Sequence, residues 1–206
     1  MATVTTITIC NKALVLCGAS PIASLTEDST NARALNAVYD ISQQDFLTEN
    51  RWTFALTRST LATAATTTFA YLRDEEAYAY VRPGTTGSCL RVWEMSDLSA
   101  IWREEGNYIL SDTADLSALW TWHNTEVGIW TPKALMAFMD KLCSDIAYHI
   151  INSGPKATAF LEKYNQVSLP AAVAENSQTG SHQEVIDDAW LLSKYGQDGN
   201  PARSYS

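Results

Sequence analysis

The chain has 206 residues, 46% of them hydrophobic and 18% charged, enough to bury an ordinary core without help from metal or disulfide. No uninterrupted apolar run approaches the about 20 residues that a bilayer span needs, and the opening stretch from Met1 lacks the basic residue and apolar block of a secretory signal; a soluble protein made in a cytoplasm, with no membrane partner, is expected. The formal net charge of −9 repels a phosphate backbone and removes the counterion release that drives nucleic-acid binding, which argues against a tight DNA binder.

In chain order, Ile7, Cys10, Leu14 and Cys17 recur at helical spacing, with Thr5 or Thr6 as N-cap and Gly18 and Pro21 as the stop. Residues 28–50 carry Leu35, Val38, Tyr39, Ser42 and Phe46 on one stripe, predicting a longer second helix capped by Asp28 or Ser29. The composition then changes. Residues 62–68 are rich in Ala and Thr without helical period, and the stretch to Asn124 is rich in aromatic residues, β-branched residues and glycine, the signature of a β insertion. Strands are predicted over 78–82, 89–95, 100–104, 108–111 and 116–123, with Pro83-Gly84 and Glu105-Gly106-Asn107 as turns.

Helical period returns with Thr131 as N-cap and Pro132 at the first helical position, followed by Leu135, Phe138, Met139, Leu142, Ile146, His149 and Ile150. Ser153-Gly154-Pro155 breaks this helix and starts another carrying Phe160, Leu161, Tyr164 and Val167, until Pro170 forces an end or a kink. Residues 175–183 read as a polar, loose linker. Beyond it, Val185-Ile186-Asp187-Asp188-Ala189-Trp190-Leu191-Leu192 places a compact apolar group where a self-contained domain has no need of one. It reads as a docking tail, the alternative being a return onto the chain's own core.

Cys10, Cys17, Cys89 and Cys143 form no C-x-x-C pair and lie at no zinc-ligand spacing from His123, His149 or His182. Free buried thiols are expected, Cys10 and Cys17 sharing one helix face. There is no G-x-S-x-G, no G-x-x-x-x-G-K-S/T, no H-E-x-x-H and no G-x-G-x-x-G. A Cys/His nucleophile pair formed by spatial convergence stays open, although His149 lies on an apolar stripe and is expected in the core. Glu75/Glu76 and Glu104/Glu105 are the local carboxylate pairs; neighbours on a strand point to opposite faces and cannot flank one sugar, so solvated charge is expected. Leu116, Ala118, Trp120 and Trp122 alternate along one strand face, with Trp102 and Trp130 near in sequence, and read as core or subunit interface in preference to a sugar-stacking platform. No catalytic residue, cofactor or metal is assigned.

The first block with a wider likeness is Cys10-Asn11-Lys12-Ala13-Leu14 through Leu16-Cys17-Gly18, continuing to Pro21-Ile22-Ala23-Ser24-Leu25 and Asp28-Ser29. It is followed by Arg51-Trp52-Thr53-Phe54-Ala55 with Arg58 and Leu61-Ala62, a W-x-F-A-x-x-R segment. Then come Tyr80 to Pro83, Cys89-Leu90-Arg91-Val92, Glu105-Gly106 and Ile109-Leu110-Ser111-Asp112, and last Asp187-Asp188-Ala189-Trp190-Leu191, an acidic-plus-Trp ending. In this order and spacing, over nearly the full chain, the blocks resemble the tail tubular protein A, or head-to-tail adaptor, family of short-tailed bacteriophages. Two departures stand out: Pro170 interrupts what is a continuous last helix in the family, and the 82–87 turn is unusually rich in glycine.

The resemblance implies an α+β fold: an antiparallel helical bundle formed by both chain ends, residues 1–61 and 131–175, an inserted small antiparallel β domain, residues 62–130, and an extended C-terminal docking tail, residues 176–206. The apolar stripes of the helices, each too wide to leave exposed, point to the same bundle. It also implies a non-enzymatic virion protein, assembled in the host cytoplasm as a ring of about twelve copies between the portal protein and the tail nozzle protein. Genomic DNA would pass through the lumen, during packaging retention and ejection, without specific binding. Asp187, Asp188, Trp190, Leu191 and Leu192 would form the portal or neighbour interface. The alternative, motivated by Trp102, Trp120, Trp122 and the acidic composition, is a glycan-binding or glycan-hydrolysing tail module.

Overall fold

The computed structural model describes residues 4–65, 69, 71–73, 76–84 and 87–180, and its fold is α+β. Helix α1 (Thr6–Cys17) starts where the Thr5 side chain accepts from the Thr8 backbone N–H. It stops at Gly18, whose left-handed φ of 80° lets its N–H reach the carbonyls of Leu14 and Val15. The buried face is Ile9, Cys10, Ala13, Leu14 and Cys17, while Ile7 is only half-buried. Asn11 then clamps the turn that follows: its amide donates to the Ile22 carbonyl at 2.9 Å and accepts from the Ile22 N–H at 2.8 Å, holding Ile22 in the core.

Helix α2 (Thr30–Glu49) is capped by Ser29, which accepts from the Ala32 N–H at 3.2 Å. Helix α3 (Pro132–Ile151) has the expected Thr131 cap and Pro132 in its first turn, and both α1 and α2 pack against it. One hydrophobic cluster therefore draws Leu14 and Cys17 from α1, Leu35 and Phe46 from α2, and Phe138, Leu142 and Ile146 from α3. His149 is exposed instead of packed, although Ile146 and Ala147 before it are buried and Ile150 after it packs against the core.

After α3, helix α4 (Gly154–Lys163) passes through a π turn (Tyr164–Ser168) into helix α5 (Leu169–Ser177). Pro170 thus neither ends the helix nor breaks it. The wider turn, closed by the Leu169 N–H on the Tyr164 carbonyl, relieves the crowding that a proline ring imposes on the preceding turn. Tyr164 is buried, but Leu161 and Val167 of the expected stripe are exposed. Residues 175–177, expected to be loose, are helical and docked: Asn176 accepts from the Thr53 N–H at 2.9 Å and donates to the Arg51 carbonyl at 2.9 Å.

Between α2 and α3 the described residues form two antiparallel three-stranded sheets. The first has order β1-β6-β3, from β1 (Leu56–Thr60), β6 (Ser117–Trp122) and β3 (Cys89–Met95). The second has order β2-β5-β4, from β2 (Tyr78–Val81), β5 (Tyr108–Ser111) and β4 (Trp102–Glu105). The predicted strands are present within a residue or two; β1 has no counterpart among them. Val92, Met95, Ala118 and Trp120 of the first sheet meet Tyr80 and Ile109 of the second in a separate apolar cluster. Gly84, at φ +80°, leaves room for Trp120, since a Cβ there would lie 2.9 Å from the indole Cη2.

The helical cluster holds an aromatic stack, with Trp52 and Phe54 on the segment that leads into β1. Phe46 lies 4.8 Å from Trp52 and 5.5 Å from Trp130 between ring centroids, and Phe54 lies 5.0 Å from Trp130. Beside it the buried Asn124 donates to the Phe54 carbonyl at 2.7 Å, and the buried Gln43 donates to the Asn124 carbonyl at 3.4 Å.

Candidate functional site

Glu104 and Glu105 extend to opposite sides of β4. Glu105 pairs with Arg103, two residues back on the same face, at 2.9 Å, and Glu104 pairs with Arg82 at 3.4 Å. Glu76 corrects the expectation of solvated charge: it is only 5% exposed, lies 2.8 Å from the Arg103 guanidinium and accepts from the Arg73 N–H. Its neighbour Glu75 lies outside the described residues. Each of these described carboxylates thus faces a guanidinium.

Trp120 and Trp130 are buried in the two apolar clusters, and Trp102 and Trp122 pack, partly buried, against the β cluster. All four cysteines are free and buried. Burial pushes the Cys10 thiol up to about 12, which makes it a poor nucleophile. His123 shares a hydrogen bond with Gln43 at 3.2 Å. Among the described residues no group of three His, Cys, Asp or Glu side chains is arranged to hold a metal.

A partly buried ionic patch joins α2, α3, α4 and the π turn. Lys141 reaches Asp45 at 2.7 Å and Glu49 at 3.1 Å, Tyr164 donates to Glu49, and Asp140 accepts from Lys163 at 2.8 Å and from Ser168. Burial works against the Lys141 charge, but Asp45 and Glu49 outweigh it and hold its pKa above the ordinary value. Its groups are mutually satisfied, so it fixes the π turn on α3 and offers no unpaired acid or base. The sequence signal for it is Asp140 and Lys141 side by side within the apolar stretch 134–143.

The remaining feature is an apolar groove of about 510 Å³ between α1 and the first half of α3. Ile9 lies in its wall fully covered by protein, while Val15 is 58% exposed and Met136 59% exposed. Lys12 is the charged residue in the lining. A groove of this composition can take apolar side chains from another segment. Sequence reasoning missed it, because Val15 and Met136 lie off the core stripes and only the packing of α1 on α3 brings them together.

No family model matches the chain, and no curated protein matches it either. Asp187, Asp188, Trp190, Leu191 and Leu192, the residues singled out as an interface, lie outside the described residues. Among the described residues no helix is long and apolar enough to cross a membrane.

Proposed function

We propose that the chain is a virion structural protein, the head-to-tail adaptor of a short-tailed bacteriophage, with a geometric role and no chemistry of its own. About twelve copies form a ring in which apolar anchors on one subunit fill pockets on the next. The ring lies between the portal protein and the tail nozzle protein, and genomic DNA passes through its lumen without specific binding. In this reading both chain ends form an antiparallel bundle, the β region is the inserted domain, and the tail carrying Asp187, Asp188, Trp190, Leu191 and Leu192 reaches the portal or a neighbouring copy.

The observation that carries the reading is the chain order itself. Helices on either side of the β region share one core while the two sheets between them keep a second, which is the arrangement that the sequence resemblance calls for. The net charge of −9 suits a conduit past which DNA must slide without sticking. The glycan alternative loses its motivation where Trp102, Trp120 and Trp122 are taken up by packing.

The test is to mix the purified full chain with portal rings of short-tailed phages, sediment the mixture and image the product. Co-sedimentation and an added ring on one face of the portal support the adaptor. Failure to bind any portal, together with a monomer at all concentrations, sinks it.

A further inference from the structure

The groove between α1 and α3 adjoins α5, the last described helix, at a point five residues before the described chain ends. Glu175, near the end of α5, accepts from the Lys133 backbone N–H at 3.1 Å, and the preceding residue, Pro132, lines the groove. The described chain ends at Gly180. From there Val185 can be reached over about 17 Å of extended chain and Trp190 over about 33 Å. The part of α3 that lines the groove, from Pro132 to Met139, rises only about 10 Å.

The segment that follows has the matching chemistry. Val185, Ile186, Trp190, Leu191 and Leu192 supply apolar bulk, and Glu184, Asp187 and Asp188 supply negative charge. The groove is apolar, its charged lining residue is Lys12, and no acidic residue lines it. In a chain of net charge −9 such a surface is an unusual place for acidic flanks to settle without repulsion. A short tether also gives the chain's own segment a high effective concentration, on the order of millimolar, that a second copy in dilute solution does not match.

We propose that this groove is the docking site of the chain's own residues 185–192 in the free subunit, with Trp190 as the apolar anchor against Val15 and Met136 and the acidic residues beside Lys12. The inference goes beyond the ring reading and does not depend on it: it concerns what covers the groove before any partner is present. Within a ring, the same segment exchanges this internal seat for one on the portal or a neighbouring copy.

The experiment is hydrogen exchange of the full chain, read on peptides covering residues 185–192, at two protein concentrations. Expected is slowing by about tenfold or more relative to an unstructured chain, the same at both concentrations. Met136→Glu places a charge in the wall at an exposed position, and Val15→Glu does so from the other side. Each should return the segment to unprotected exchange while leaving the thermal melt of the helices within about 1 °C. Trp190→Ala should do the same from the segment's side. Exchange at the free-chain rate in the unmodified protein overturns the proposal, as does protection that survives both Met136→Glu and Val15→Glu. Protection that disappears on dilution overturns it too, by making a second copy the occupant. Because no portal is present, none of these outcomes bears on the adaptor reading, and loss of portal binding leaves this result untouched.

Discussion

Leu142 is fully covered in the middle of α3, among side chains from α1 and α2, so truncation there removes contacts that no neighbour can replace. Leu142→Ala should destabilise the fold by about 2–4 kcal/mol in a denaturant titration, and an unchanged midpoint would mean that the face can collapse around the cavity. This position was legible because helical period marks a core stripe wherever the helix is covered along its length. His149, on the same stripe, is exposed while Ile146 and Ile150 on either side of it pack inward: helical period gives a face, and the edge of that face is where it misleads. Glu76 was misread for a different reason. A carboxylate is ordinarily solvated, and only the pairing of distant strands places Arg103 beside it.

At the scale of elements, the caps at Ser29, Thr131 and Gly18 were readable because each depends on a few adjacent residues. Strand β1 was not. Its sequence, Leu56 to Thr60, is polar and lacks apolar alternation, and it is held as an edge by its register against β6, Leu56 opposite Thr121 and Thr60 opposite Ser117. The π turn was half-legible: Pro170 announced a disturbance, but the ionic patch that absorbs it comes from α2 and α3. That patch has a pH signature. Asp45 and Glu49 hold Lys141 above its usual 10.5 against the opposing effect of burial, and burial, then Glu49, push Tyr164 above its usual 10.0. Both groups keep their protons in the fold at pH values where the unfolded chain gives them up, so their contribution is intact below about pH 10 and is lost as pH rises beyond it. Cys10, raised from 9.0 to about 12, acts in the same sense from about pH 9. Urea midpoints should therefore fall between about pH 9 and pH 11, and fall less steeply in Tyr164→Phe, which removes one of the titrating groups. An equal slope in the variant would show that Tyr164 does not carry the effect.

Over the whole molecule, the order of helices, sheets and helices could be read from changes of hydrophobic period, whereas the contact between the two cores could not. It draws on separate stretches: Leu90 of β3 packs against the helical cluster, and Gln43 of α2, Phe54 before β1 and Asn124 after β6 are tied by hydrogen bonds. Their link is polar and buried, so its hydrogen bonds have no water to replace them when one partner is cut back. Asn124 matters most there, since its amide donates to the Phe54 carbonyl and its side-chain oxygen accepts from the Glu126 N–H at 2.9 Å. Asn124→Ala leaves both groups without their partner and removes nothing from either apolar cluster. The expected loss is about 1–3 kcal/mol. Its form is the more informative part. Each cluster keeps its own packing, so weakening the link should turn one cooperative transition into two, with helical signal at 222 nm and tryptophan fluorescence no longer melting together. Coincident melts in Asn124→Ala, shifted as a single transition, would mean instead that the contacts of β3 with the helical side, Leu90 against the helical cluster, Arg91 on the Thr48 carbonyl and Glu94 on Arg51, couple the cores without it.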